Sequence, residues 1–188
     1  LIGVPYVAAG TNMRMMQPRL LVIHYTATMT ARGTVAGFTM KGAGASAHLV
    51  IDRDGSITQT VPFDRTAAHA GNSAWKSVEG CNRFSVGFEL VNMGPLSRDG
   101  AGHLRDWYKR PMPLGTEAVE AVAPGGNLWE AYPEAQYLAT DAAAKAVCER
   151  YGITEIVGHY DVATPKGRKI DPGPAFPMAR LRAAVLGG

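Results

Sequence analysis

The sequence predicts a single α/β domain with a central mixed β-sheet flanked by helices. Three observations carry this: short apolar runs ending abruptly in polar residues, an Asp-Gly turn between two β-prone runs, and helical patterns interleaved with strands. The 188 residues suit one domain, spanning 1–188, with an enclosed hydrophobic core.

Leu20-Leu21-Val22-Ile23 is a continuous apolar run of the kind buried on both faces of a sheet, and it ends at His24-Tyr25-Thr26. Thr30 to Lys41 reads as a modest helix, stopped by Gly42-Ala43-Gly44. His48–Asp52 and Ile57–Val61 flank Arg53-Asp54-Gly55. Glycine accepts the positive φ of a tight turn, so these runs read as a hairpin that Pro62 ends. From Phe84 to Val91 the chain alternates. Phe84, Val86, Phe88 and Leu90 are expected toward the core, with Ser85, Gly87, Glu89 and Val91 opposite and open space beside Glu89.

Gly94 to Tyr132 is rich in Gly and Pro and shows no clear period, so residues 94–132 are expected to form a long variable loop or lid within the domain. Pro133 opens a helix whose Tyr137, Thr140, Ala144, Val147 and Tyr151 recur at threes and fours, and Gly152 stops it. Ile153 to Val157 is a further strand, leading to Gly158-His159. A basic loop then reaches Asp171-Pro172-Gly173-Pro174, and a short helix follows Phe176.

Composition excludes several classes. With 46% hydrophobic and 19% charged residues the chain is not expected to be disordered, and no apolar run nears the ~20 residues that span a bilayer. A net charge of +3 from scattered Lys and Arg argues against nucleic acid as a partner and suits an anionic polymer equally well. Leu1-Ile2-Gly3-Val4-Pro5 lacks the basic and apolar regions of a signal peptide, although a leader trimmed away is compatible with the missing Met. Cys81 and Cys148 are both expected to be free thiols.

His24 and His159 each come at the end of a short strand, and Asp171 follows a loop later. Two imidazoles and a carboxylate are a common catalytic zinc set, with one position left for water. Spacing alone leaves the alternative open, since the helical His-Glu-x-x-His pattern is absent and such residues also serve cores and turns.

The flanking segments narrow the choice. Leu21-Val22-Ile23-His24-Tyr25-Thr26-Ala27, Ser46-Ala47-His48 through Asp54-Gly55, and Val61-Pro62-Phe63-Asp64 occur in order. They are followed by His69-Ala70-Gly71, Cys81 through Leu90, Gly158 through Ala163 and Arg168 through Phe176. This series resembles the zinc-dependent N-acetylmuramoyl-L-alanine amidases related to peptidoglycan recognition proteins. It is nearest to the AmpD-type branch, whose third ligand is Asp where related branches often have Cys.

The resemblance implies that His24, His159 and Asp171 hold Zn2+, that Glu89 acts as general base and acid, and that Lys169 stabilises the oxyanion. It implies peptidoglycan or a muropeptide as substrate, cleaved by a monomer, in cell-wall lysis, remodelling or recycling. His69, Asn72 and Trp75 are the expected substrate contacts. Trp107 and Trp129 are as fit to line the groove as to pin the long loop down. His48 is expected either to stand behind the site residues or to be structural, and His103 merely to be solvated. A wall-binding protein without activity and a zinc hydrolase of another specificity are the alternatives.

Overall fold

The computed structural model describes residues 3–187, so Leu1 and Ile2 of the amino-terminal stretch lie outside it. The elements are β1 (Leu20–Tyr25), α1 (Ala31–Thr39), β2 (Leu49–Ile51), β3 (Ile57–Gln59), β4 (Ala74–Trp75), β5 (Val78–Glu79), β6 (Ser85–Leu90) and β7 (Ser97–Arg98). There follow β8 (Leu104–Arg105), β9 (Ala118–Ala123), β10 (Gly126–Glu130), α2 (Glu134–Tyr151), β11 (Ile156–Gly158), α3 (His159–Val162) and α4 (Met178–Leu186).

The main sheet has the order β11-β1-β6-β2-β3. β1 runs parallel to β11 and β6, β2 runs parallel to β6, and β3 closes the edge antiparallel. The sheet is therefore mixed, as expected. The interior strand β1 is apolar from Leu20 to Ile23 because it is covered on both faces. Leu21 and Ile23 join Val86, Phe88 and Leu90 against Ala144 and Val147 of α2 and Leu181 of α4. Leu20 and Val22 pack on the opposite face with Ala70, Val157 and Val162. Each such side chain fully buried contributes ~1.5–3 kcal/mol.

Local signals explain the ends of the elements. The Thr30 hydroxyl accepts from the Gly33 amide and caps α1. Gly152 ends α2 in the left-handed conformation at φ 68°. Gly55 turns the β2–β3 hairpin at φ 84°, and a Cβ there would come 2.8 Å from the Ala135 carbonyl oxygen.

Phe84 departs from the expected alternation. A short 3-10 turn at Cys81–Arg83 precedes it, and the ring joins Leu20 and Val22 instead of Val86 and Phe88. Both cysteines are free and buried. Burial, followed by the neighbouring Glu149 charge, pushes the Cys148 thiol up to about 11, and burial also raises Cys81. Among the described residues no helix is long and apolar enough to cross a membrane.

Residues 94–132 are more ordered than their composition suggests. β7 pairs with β8 and β9 with β10, each pair antiparallel. A small apolar cluster of Met93, Leu96 and Met112, with Met29, Leu104 and Leu128, sits beneath them. At the root, buried Glu130 accepts from Arg53 Nε at 2.6 Å and Nη2 at 3.0 Å, and from the Met93 amide at 2.6 Å. The Tyr132 hydroxyl donates to the Pro172 carbonyl at 2.8 Å, tying the far end to the loop that carries Asp171.

Candidate metal centre and active site

Parallel pairing places the carboxyl ends of β11, β1 and β6 along one edge, and the predicted ligands meet there. His24 lies in β1 directly across from Glu89 in β6. Residues two apart share a face of a strand, so His24 continues the Leu20–Val22 face and Glu89 the Ser85–Gly87 face. His159 is the first residue after β11, and the Tyr160 amide donates to the Asp171 carbonyl at 3.1 Å, which brings Asp171 alongside.

The three ligating atoms converge. His24 Nδ1 is 3.0 Å from His159 Nδ1 and 3.1 Å from Asp171 Oδ2, and His159 Nδ1 is 2.9 Å from the same oxygen. All three residues are buried. Adjacent ligands of a tetrahedral zinc with bonds of ~2.0–2.1 Å stand about 3.3 Å apart, so the cluster needs only small adjustment to hold such an ion. His159 Nε2 donates to the Ala70 carbonyl at 3.1 Å, leaving its Nδ1 lone pair facing the cluster. The donor set and its spacing fit a small transition-metal cation.

Electrostatics agree with the geometry. Burial, only partly opposed by Asp171, lowers the pKa of His24, favouring the neutral imidazole a metal requires. Burial alone would raise Asp171, but the His159 and His24 imidazoles facing it outweigh burial and hold the carboxyl below its ordinary range. Glu89 behaves oppositely. Burial first and the Asp171 charge second raise it well above an ordinary carboxyl, against a smaller lowering by Lys169. Glu89 Oε2 is buried without a hydrogen-bond partner among the described residues.

These groups open onto a cavity of about 620 Å³ lined also by Tyr25, Thr28, Phe38, Trp107, Arg168 and Lys169. A second cavity of about 580 Å³ is lined by the Arg53–Glu130 pair and, among the described residues, contains no comparable ligand cluster, so the chemistry selects the first. Lys169 is exposed at the cavity rim. His69 lines the cavity but is mostly buried, with its ring nitrogens engaged by His24 and Ser85. Burial, then the neighbouring His24, lowers its pKa far below the ordinary imidazole value.

Two expected substrate contacts lie elsewhere. Asn72 and Trp75 are not among the residues lining this cavity. Trp75 packs beside Leu20 and Val22 and donates its indole N–H to Glu155 at 3.0 Å, while the Asn72 carbonyl anchors the Arg168 side chain at 2.6 Å. Trp129 is buried, with its indole N–H on the Ala121 carbonyl. Trp107 is the tryptophan that is both exposed, at 56%, and on the cavity wall. His48 is structural as expected, accepting from the Gly87 amide and donating to the Arg65 carbonyl, and His103 is exposed. Tyr25 and Thr28, within four residues of His24 in sequence, join the cavity wall, and their closeness to His24 is the signal in the sequence that marks them.

A family model described as N-acetylmuramoyl-L-alanine amidase matches residues 14–174. The chain is 37% identical over 142 residues to the 1,6-anhydro-N-acetylmuramyl-L-alanine amidase AmpD of Citrobacter freundii, covering 74% of this chain and 57% of that protein. It thus spans little more than half the length of that relative. The fold matches AmiD from E. coli in complex with the substrate anhydro-N-acetylmuramic acid-L-Ala-D-gamma-Glu-L-Lys, with a TM-score of 0.69 and 29% identity over 93% of this chain and 60% of that one. It also matches AmpDh3 from Pseudomonas aeruginosa in complex with anhydromuramic pentapeptide, with a TM-score of 0.64 and 29% identity over 91% and 61%.

Proposed function

The chain belongs to the N-acetylmuramoyl-L-alanine amidase family, and from that premise we propose that it is a zinc-dependent hydrolase of the amide bond between N-acetylmuramic acid and the L-alanine of the peptide stem, acting on peptidoglycan or muropeptides. One observation carries the reading. His24, His159 and Asp171 bring their ligating atoms within 3.1 Å of one another, with Glu89 paired across the sheet from His24.

Zinc bound by these residues would lower the pKa of a coordinated water toward ~7 and polarise the amide carbonyl. Glu89 supplies the proton transfers. Its raised affinity for a proton suits it to take one from the attacking water and deliver it to the departing nitrogen, which leaves poorly until protonated. Lys169 at the rim offers a positive charge toward the oxygen that becomes negative in the tetrahedral intermediate. Trp107 replaces Trp75 as the aromatic wall for sugar or stem.

The test is mass spectrometry of products from purified muropeptides, with and without chelator, comparing the protein with Glu89→Ala. Stem peptide with a new L-Ala amino terminus, lost on chelation and in the variant, is the expected result. Cleavage at another bond would overturn the substrate assignment while keeping a metal hydrolase. Muropeptide and zinc binding without any cleavage would instead indicate a wall-binding protein.

A further inference from the structure

His69 is a buried polar group to which the hydrolytic steps assign no task, and the direction of each hydrogen around it can be deduced. The Ser85 hydroxyl lies 2.7 Å from the Cys81 carbonyl, which only accepts, so the single hydroxyl hydrogen is committed there. His69 Nε2 lies 3.1 Å from Ser85 Oγ and 3.3 Å from the Ser85 carbonyl oxygen. Facing two acceptors, it carries the proton. A neutral imidazole has one N–H, so His69 Nδ1 is an acceptor, and it lies 2.9 Å from His24 Nε2. His24 Nε2 is then the donor, which leaves His24 Nδ1 bare, 3.1 Å from Asp171 Oδ2 and 3.0 Å from His159 Nδ1.

The space for this arrangement is built into the sheet. A Cβ on Gly87 would come 2.5 Å from Cγ and Nδ1 of His69, so only glycine lets the ring lie against β6. His48 packs edge-on at 5.9 Å between ring centroids but takes no part in the relay, since its nitrogens are used by Gly87 and Arg65. His159 reaches the same tautomer through the Ala70 carbonyl alone. The two imidazole ligands are thus held by different means: one by a backbone oxygen, the other by a side chain that itself needs holding.

We infer that His69 is a positioning residue: backed by Ser85 and the Cys81 carbonyl, it fixes His24 in the tautomer and ring orientation that present Nδ1 to a divalent transition-metal ion. This rests on the metal reading of the site and assigns His69 a role other than the substrate contact expected from sequence. Partners of this kind typically change metal affinity ~10–100-fold when removed.

Two measurements test it. Long-range 1H–15N spectra of the zinc-loaded protein with 15N-labelled histidine should show His69 protonated at Nε2 and bare at Nδ1, with His24 protonated at Nε2. Zinc competition against a chromophoric chelator should show affinity reduced ~10–100-fold in His69→Phe and less in His69→Gln, whose amide retains an acceptor. Turnover should fall at unchanged KM when zinc is subsaturating. A His69 protonated at Nδ1 would overturn the inference, and so would His69→Phe binding zinc like the wild type while raising KM. If His69→Phe fails to fold, the spectra of the unaltered protein decide. A wild-type protein that binds no zinc would sink the metal reading itself, a result distinct from either of these.

Discussion

The carboxyl edge of the main sheet and the 94–132 segment solve opposite problems. At the sheet edge the ligating side chains are buried, and the two imidazoles are held from behind: His24 by His69 and His159 by the Ala70 carbonyl. The 94–132 segment has little core beneath it and exposes Leu114 fully, with Trp107 and Tyr108 also outward. It keeps its shape through ionic turns. Asp99 binds Arg105 in two places and Asp106 braces Arg110, while Glu130 fastens the root to Arg53. Parallel strands with both faces covered leave ligands no freedom, whereas short hairpins pinned by charges can present a wall to substrate without disturbing the centre.

Removing a ligand should have the largest effect. Asp171→Ala is expected to lose zinc, read by atomic absorption, and to reduce amidase turnover to background. Near-wild-type turnover would detach the chemistry from the sheet edge. Glu89→Gln comes next, with kcat falling ~10²–10⁴-fold while zinc is retained. The same variant should make the metal-free protein more stable at neutral pH. Glu89's folded-state pKa lies above its unfolded value, so its favourable contribution is present at low pH and is lost as pH rises through the folded value. Glutamine removes the resulting cost, and a lower melting temperature for metal-free Glu89→Gln would contradict the burial argument.

Acid should separate the two regions. Buried His48 has its pKa lowered from 6.5 to about 4, chiefly by burial. Its stabilisation is therefore present above pH 6.5 and is lost as pH falls toward about 4, a change on the order of 3 kcal/mol. Asp99 is held down to about 2, chiefly by its hydrogen bond with Arg105, so its turn should keep its ion pair until pH approaches that value. Amide exchange across pH 7 to 3 reads both, and earlier loss of the Asp99 turn would reverse the comparison. Glu130→Ala strands a largely buried guanidinium and the Met93 amide. It should cost about 2–3 kcal/mol, discounted for the partial exposure of Arg53, with raised exchange confined to 94–132. Smallest is Trp107→Ala, expected to raise KM roughly five- to tenfold with kcat little changed. An unchanged KM would remove Trp107 from the substrate wall.

Much of the fold was legible because its signals are local. The continuous apolar run of β1, the Asp-Gly turn, the period of α2 and its Gly152 stop each depend on a few neighbouring residues. Residues 94–132 were read as irregular because β7 and β8 are two residues each and β9 is mostly Ala and Val with exposed faces. Their root is fixed by Glu130–Arg53, a contact 77 residues apart in sequence. Phe84 breaks the alternation seen in the sequence because a 3-10 turn precedes it and turns its ring toward Leu20 and Val22.

By itself, then, the sequence determined the α/β class, the strand-end placement of His24 and His159, and the ordered motifs that mark Asp171, Glu89 and Lys169. Only the tertiary structure decided that Trp107 and not Trp75 faces the cavity, that Asn72 turns its carbonyl to Arg168, and that His69 stands behind His24. The physical reason is range. Strand and turn preferences act over a few residues, but a hydrogen-bond direction or a cavity wall depends on groups dozens of residues apart, which meet only when the sheet closes.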